Sequence, residues 1–183
     1  MNNLSSTSNR KGSEFWTSIL TYGLIIGGSI VLSDLIMVHL LGFQDNILAS
    51  VCSVIGVYFS QKYYRDTHGG YITYGKALKF GTFAMGAAGV IRGLYTVLMF
   101  KFVPGLWDKV ILLVEEAYVN MGMSDADVAT MLNPIKEGIS PFAIAISFVM
   151  ASMFSGFFIS LLSSVFIKRS NPDSFNDAMN GAK

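Results

Sequence analysis

The sequence predicts an all-α fold: a polytopic membrane protein, a four-transmembrane-helix bundle with an extracytoplasmic amphipathic helical connector. Three observations predict it. Of the 183 residues, 52% are hydrophobic and 14% charged, where soluble domains carry roughly 25% charged residues. The apolar residues gather into long runs, most of them exceeding the ~20 residues that cross a bilayer core. Lysine and arginine then alternate between rich and poor segments along the chain. The net charge of +1 gives no footprint for nucleic acid or an acidic ligand.

Residues 1–13 are polar, rich in Asn and Ser, and close on Arg10 and Lys11; they are expected to form a disordered cytoplasmic tail. A four-helix membrane domain is expected over 14–169. Its first span, 15–41, has Asp34 as its only formal charge. It is longer than the roughly 7–15 apolar residues of a signal-peptide core and shows no convincing small-residue cleavage site before Asp34, so it reads as an uncleaved helix. After a break at 42–46 comes the second span, 47–64, the shortest. Tyr58, Phe59, Tyr63 and Tyr64 at its far end resemble an aromatic interface belt; a re-entrant hairpin is the alternative.

The polar segment 65–75 carries Gly69-Gly70 as a turn signal. The third span, 77–103, holds Arg92 near its centre and ends by Lys101 and Pro104. Residues 105–139 are too polar to cross. Leu106, Trp107, Val110, Ile111, Leu113, Val114, Ala117 and Tyr118 recur near helical spacing, which predicts an amphipathic helix. Ser124 to Asp127 resembles a capping box opening a second helix, which Asn133-Pro134 should end or bend. This connector reads as lying on the bilayer with its apolar face in lipid, or alternatively as a lid or partner-binding element. The fourth span, 141–167, has no charge. Ser140 can cap it, and Pro141 suits the first helical position because its missing N–H needs no partner there. Lys168 and Arg169 close it, and 170–183 is a second cytoplasmic tail.

Orientation follows from charge. The N-terminal tail, the 65–75 region with Lys62, Lys76 and Lys79, and the C-terminal end with Lys168 and Arg169 are basic. The first break has only Asp45, and the long connector sets Lys109 and Lys136 against Asp108, Glu115, Glu116, Asp125, Asp127 and Glu137. Four spans place every basic segment on one side, so both termini are expected in the cytoplasm.

Small residues mark candidate helix-packing faces, because close backbone approach is what holds helices together in lipid. They are Gly23 and Gly27 in the first span, Gly89 and Gly93 in the third, and Ser152, Gly156, Ser160 and Ser164 in the fourth. A compact bundle accounts for them; a dimer interface is the alternative. Asp34 and Arg92 are ionisable groups at membrane depth, each expensive alone. Both spans run outward, and the reach of arginine lets the two meet as an intramembrane charge pair. The pair is either structural, fixing helix register, or a proton, ion or substrate site.

Little else suggests chemistry. His39 and His68 fall on opposite sides of the membrane and cannot share a metal. Cys52 is alone in an apolar run and reads as a small buried hydrophobe. P-loop, nucleophile-elbow, zinc-protease and Cys-x-x-Cys patterns are absent from the sequence. No catalytic residue, metal or cofactor is expected, and the chain is not expected to be an enzyme.

The run Gly69-Gly70-Tyr71-Ile72-Thr73-Tyr74-Gly75-Lys76-Ala77-Leu78-Lys79, with Phe100-Lys101-Phe102-Val103-Pro104 and Gly122-Met123-Ser124, resembles a bacterial family of integral membrane proteins, domain-of-unknown-function family 4199. The resemblance covers nearly the whole chain. It implies an inner-membrane location and carries over no activity or site residue. The expected function is therefore that of a non-catalytic structural or assembly component acting through helix packing. The alternative is an oligomeric small transporter or channel subunit using Asp34 and Arg92. Expected partners are the lipid bilayer and either further copies or other membrane proteins, with no nucleic acid.

Overall fold

The structure is a computed structural model and describes residues 2–40, 47–138 and 141–169. Helix α1 covers Asn2–Asp34 and continues as a π-helical stretch, Leu35–Leu40. Then come α2 (Ile47–Thr67), α3 (Tyr74–Phe102), α4 (Leu106–Asn120), α5 (Asp125–Gly138) and α6 (Pro141–Ile167). The first break, the Ser140 cap and the 170–183 tail lie outside the described residues.

Two boundaries differ from expectation. Helix α1 begins at Asn2, so the segment expected as a disordered tail is helical; adding residues to a nucleated helix is far easier than starting one. Helix α5 runs through Pro134 to Gly138 instead of ending there. The capping box forms: Ser124 Oγ donates to Asp127 Oδ2 at 2.6 Å and accepts from the Asp127 backbone N–H at 3.4 Å. Ser124→Ala is expected to cost about 1 kcal/mol. Because α5 packs mainly on α4, hydrogen exchange should rise across α5 while that of α3 and α6 stays unchanged.

Three helical stretches, Gly12–Met37, Tyr74–Phe102 and Phe142–Ile167, are long and apolar enough to cross a membrane. This is the pattern of a multi-pass membrane protein. Helix α2 falls outside that class, since its second half carries Gln61, Lys62, Arg65 and Asp66. The outward faces are apolar, with Leu20, Leu24, Leu94, Phe154, Phe158 and Leu162 each more than half exposed.

Helices α1 and α3 run parallel. Phe15 meets Phe80 edge-on at 5.8 Å, Gly23 faces Ala84 and Ala87, Gly27 faces Ala88 and Ile91, and Asp34 reaches Arg92. Helices α2 and α6 run antiparallel to them, as shown by Gly56 against Ile26 and Gly156 against Met85. The largest contact is α3 with α6, then α1 with α3; α2 packs more lightly. The small-residue stripes form these seams. A Cβ on Gly89 would lie 2.8 Å from Ser152 Cβ and 2.9 Å from Val149 Cα, and one on Gly93 would lie 3.0 Å from the Ala145 carbonyl. Helices α4 and α5 stand at the α3 C-terminal end as a hairpin with its own apolar cluster of Ile111, Val128 and Leu132. Much of the amphipathic face expected to meet lipid or a partner is thus used internally.

Candidate functional site

Asp34 closes α1 where the helix widens into its π-helical stretch, and Arg92 stands in the C-terminal half of α3. Because the two helices are parallel and held close at Gly23 and Gly27, the side chains meet at the same height. Arg92 Nε donates to Asp34 Oδ2 at 3.1 Å, and Nη2 donates to Oδ1 at 3.4 Å. This is the planar two-bond geometry in which arginine holds a carboxylate. The guanidinium also lies over the Phe148 ring of α6, 5.3 Å from its centroid, a favourable cation–π position.

The pair is asymmetrically buried: the Asp34 side chain is 11% exposed and that of Arg92 34%. Arg92 lines an open cavity of about 370 Å³ between α1, α2, α3 and α6. Its polar lining is Asp34, Ser50, Ser53, Arg92, Ser152 and Ser155. Ser53 Oγ donates to the Ala49 carbonyl at 2.8 Å, and Ser155 Oγ to the Ser152 carbonyl at 3.1 Å. A hydroxyl that donates to its own helix keeps its oxygen lone pairs for accepting. The cavity wall therefore offers acceptors on α2 and α6 opposite a cationic donor on α3.

Below the cavity the bundle is filled. Gln61 of α2, fully buried, donates from Nε2 to the Ala77 carbonyl at 3.0 Å and to Ser164 Oγ at 3.5 Å. Its Oε1 accepts from Ser163 Oγ at 2.7 Å. Ser160 is fully buried, and its Oγ has no hydrogen-bond partner among the described residues. A Cβ on Gly81 would collide with Ser160 Oγ and Gln61 Nε2, so this layer has no space to spare.

At the far end the α2–α3 turn is clipped to α6. Gly69 and Gly70 adopt φ of +88° and +78°, which only glycine takes up readily. The reversal they make brings Ile72 beside Arg169, where each N–H donates to the other's carbonyl at 3.1 and 3.0 Å. Arg65 Nη1 donates to the Ile167 carbonyl at 3.3 Å, satisfying an open acceptor at the α6 C-terminus. Lys76 lies over the rings of Phe15 and Tyr64 at 5.8 and 5.3 Å.

The description of a protein family of unknown function, DUF4199, matches residues 21–169. The chain belongs to that family. The DUF4199 match takes in both members of the ion pair, all the cavity serines and the Ile72–Arg169 clip. No curated protein and no solved structure matches the chain.

Among the residues singled out from the sequence of this DUF4199 protein, Asp34 and Arg92 are brought together, and Ser152 lines their cavity. Gly23, Gly27, Gly89, Gly93, Gly156 and Ser160 lie at helix seams. His39 falls in the π-helical stretch, its side chain outside the described residues, and His68 stacks on Tyr64 with ring centroids 4.0 Å apart. Sequence reasoning missed Ser50, Ser53 and Ser155, and gave Gln61 no role. The signal was there in two serine pairs, Ser50 with Ser53 and Ser152 with Ser155. Each is spaced so that both side chains share one helix face.

Proposed function

We propose that the chain is a non-catalytic, four-span protein of the inner (plasma) membrane that binds a small polar group in the cavity beside Asp34 and Arg92. The observation that carries this reading is the exposure of Arg92 into a hydroxyl-lined space. The pair engages Arg92 through Nε and Nη2, and a guanidinium carries further N–H donors that can meet a ligand. The small-residue seams, for which a dimer interface was the alternative to a compact bundle, are occupied by the chain's own helices. The packed Gln61–Ser160–Gly81 layer supports binding over passage through the bundle.

The fourth span follows from connectivity. If α1 and α3 both cross in the same direction, the intervening chain must return, and α2 runs antiparallel between them. The 18 residues at 47–64 extend about 27 Å at 1.5 Å per residue, close to a bilayer core. The basic segments then fall together on the cytoplasmic side, with both termini and the α2–α3 turn, and the acidic α4–α5 hairpin falls outside.

Cysteine labelling in a Cys52→Ala background tests both parts. Tyr71→Cys should react with a charged thiol reagent only from the cytoplasmic side and Asp125→Cys only from the other. Ser53→Cys and Ser155→Cys should react with a small polar reagent, because the thiolate that reacts needs water, whereas lipid-facing Leu24→Cys should not. Cytoplasmic labelling of position 125 would overturn the topology, and inert cysteines at both 53 and 155 would overturn the polar cavity.

A further inference from the structure

A second feature lies where α1 and α3 begin to cross. Their membrane-crossing stretches start at Gly12 and Tyr74, so both helices enter the bilayer at this level. Between them opens a pocket of about 450 Å³, lined by Phe15, Thr73, Gly75, Lys76 and Lys79. Lys76 and Lys79 are three residues apart in the first two turns of α3 and share one face. A helix start favours acids and disfavours cations, yet α3 has no acid in its first turn. Among the described residues neither lysine forms an ion pair. Glu14, the acid next to Phe15 in sequence, lines a separate pocket with Tyr22 and His68. The rings of Phe15 and Tyr64 hold the Lys76 ammonium but neutralise none of its charge. Four residues beyond Lys79, about 6 Å deeper, Phe83 meets Trp16 edge-on at 5.3 Å. Both rings are exposed, as are Leu20 and Val90 beyond them.

We propose that this pocket binds the phosphate of an anionic phospholipid, of the phosphatidylglycerol class, in the leaflet on the side of the α2–α3 turn. The site is independent of any ligand in the Asp34–Arg92 cavity and requires only that α1 and α3 cross the membrane. Charge selects the head. Two ammonium groups on one helix face have no carboxylate partner, and a phosphodiester can accept hydrogen bonds from both. The Thr73 hydroxyl makes no capping bond and adds a third donor. A zwitterionic head would bring its own cation up to these lysines, so its net attraction is smaller. Depth selects a lipid over a soluble phosphate. The donors stand where the helices enter the bilayer, and the Trp16–Phe83 pair lies below them, at the level of the glycerol and first acyl carbons. Aromatic side chains favour that level. Leu20 and Val90 then continue an apolar path along the outer face of α1 and α3 toward mid-depth. Head, glycerol and chain are thus met in the order in which a lipid of this leaflet presents them.

Tryptophan fluorescence tests this, because the chain has two tryptophans and Trp107→Phe leaves only Trp16, beside the pocket. The full chain with that change is reconstituted in dioleoyl phosphatidylcholine vesicles. Increasing fractions of dibrominated phosphatidylglycerol, phosphatidylcholine or phosphatidylethanolamine are added, whose bromines quench a neighbouring indole. Phosphatidylglycerol should be preferred at Trp16 by at least ~5-fold over the other two, about the worth of one lysine near anionic lipid. Lys79→Gln, an exposed change, should cut that preference severalfold. Gly75→Glu should abolish it. A side chain added at Gly75 meets open space, and a carboxylate there occupies the lysines and suits a helix start, so the melting temperature should not fall. Lys62→Gln removes a cation of the same end that does not line the pocket and should leave the preference unchanged. Inorganic phosphate at constant ionic strength should not displace the lipid. Equal quenching by the three lipids, or a preference that survives Gly75→Glu, overturns the proposal. So does an equal loss on Lys62→Gln, the mark of diffuse attraction, or displacement by phosphate, the mark of a soluble-anion site.

Discussion

Asp34→Asn is expected to lower the stability of the detergent-solubilised protein by about 2–3 kcal/mol. That is below the roughly 3–5 kcal/mol of a fully buried pair, because Arg92 keeps partial access to the cavity. The loss arises less from the missing attraction than from a guanidinium left at membrane depth without its counter-charge. Arg92→Gln leaves the reverse problem, and the buried carboxylate is less able to reach water than arginine, so its cost should be at least as large. The double variant removes both charges and should cost less than the sum. A double-mutant cycle reads this directly. Additive effects would mean that the two hydrogen bonds, at 3.1 and 3.4 Å, contribute no coupling, and each residue would then need a separate role.

Gly89→Ile should be strongly damaging at the α3–α6 seam. Its Cβ would stand 2.8 Å from Ser152 and 2.9 Å from the Val149 backbone, and backbone cannot rotate aside as a side chain can. The expected loss is about 3 kcal/mol, at the upper end of overpacking effects, because the seam it forces open is the largest in the bundle. Ala143→Ile, on an exposed face of the same partner helix, should leave the melting temperature nearly unchanged. Thermal unfolding in detergent compares the two, and equal losses would show that the α3–α6 seam does not depend on close approach at Gly89.

Some of this architecture follows from the sequence alone. The apolar runs fix the helices because a backbone in lipid must satisfy its own hydrogen bonds, so α3 and α6 fall close to 77–103 and 141–167. The spacing of Gly89 with Gly93, and of Ser152 with Gly156 and Ser160, marks faces where backbones can touch. Gly69-Gly70 marks a reversal because the two φ angles there are closed to other residues. The depth of Asp34 and Arg92 could be counted along their helices at a fixed rise per residue, and the reach of arginine closed the difference between them.

Other properties depend on where helices sit around one another, and no local pattern encodes that. The stripes could have joined two chains as readily as one; the tertiary structure spends them on α1–α3–α6. Whether Asp34 and Arg92 were sealed or exposed depended on α2, whose light packing leaves a space between Ser50, Ser53, Ser152 and Ser155. Gln61 looked like a polar residue near a helix end until Ala77, Ser163 and Ser164 closed around it. Helix propagation through the polar residues after Asn2 likewise draws on the anchored helix that follows, and composition alone reads that segment as coil. Sequence thus determined which segments are helices and which residues are costly in lipid. Tertiary structure decided which of those costs are cancelled inside the bundle and which remain facing a cavity, because cancellation needs partners from distant parts of the chain.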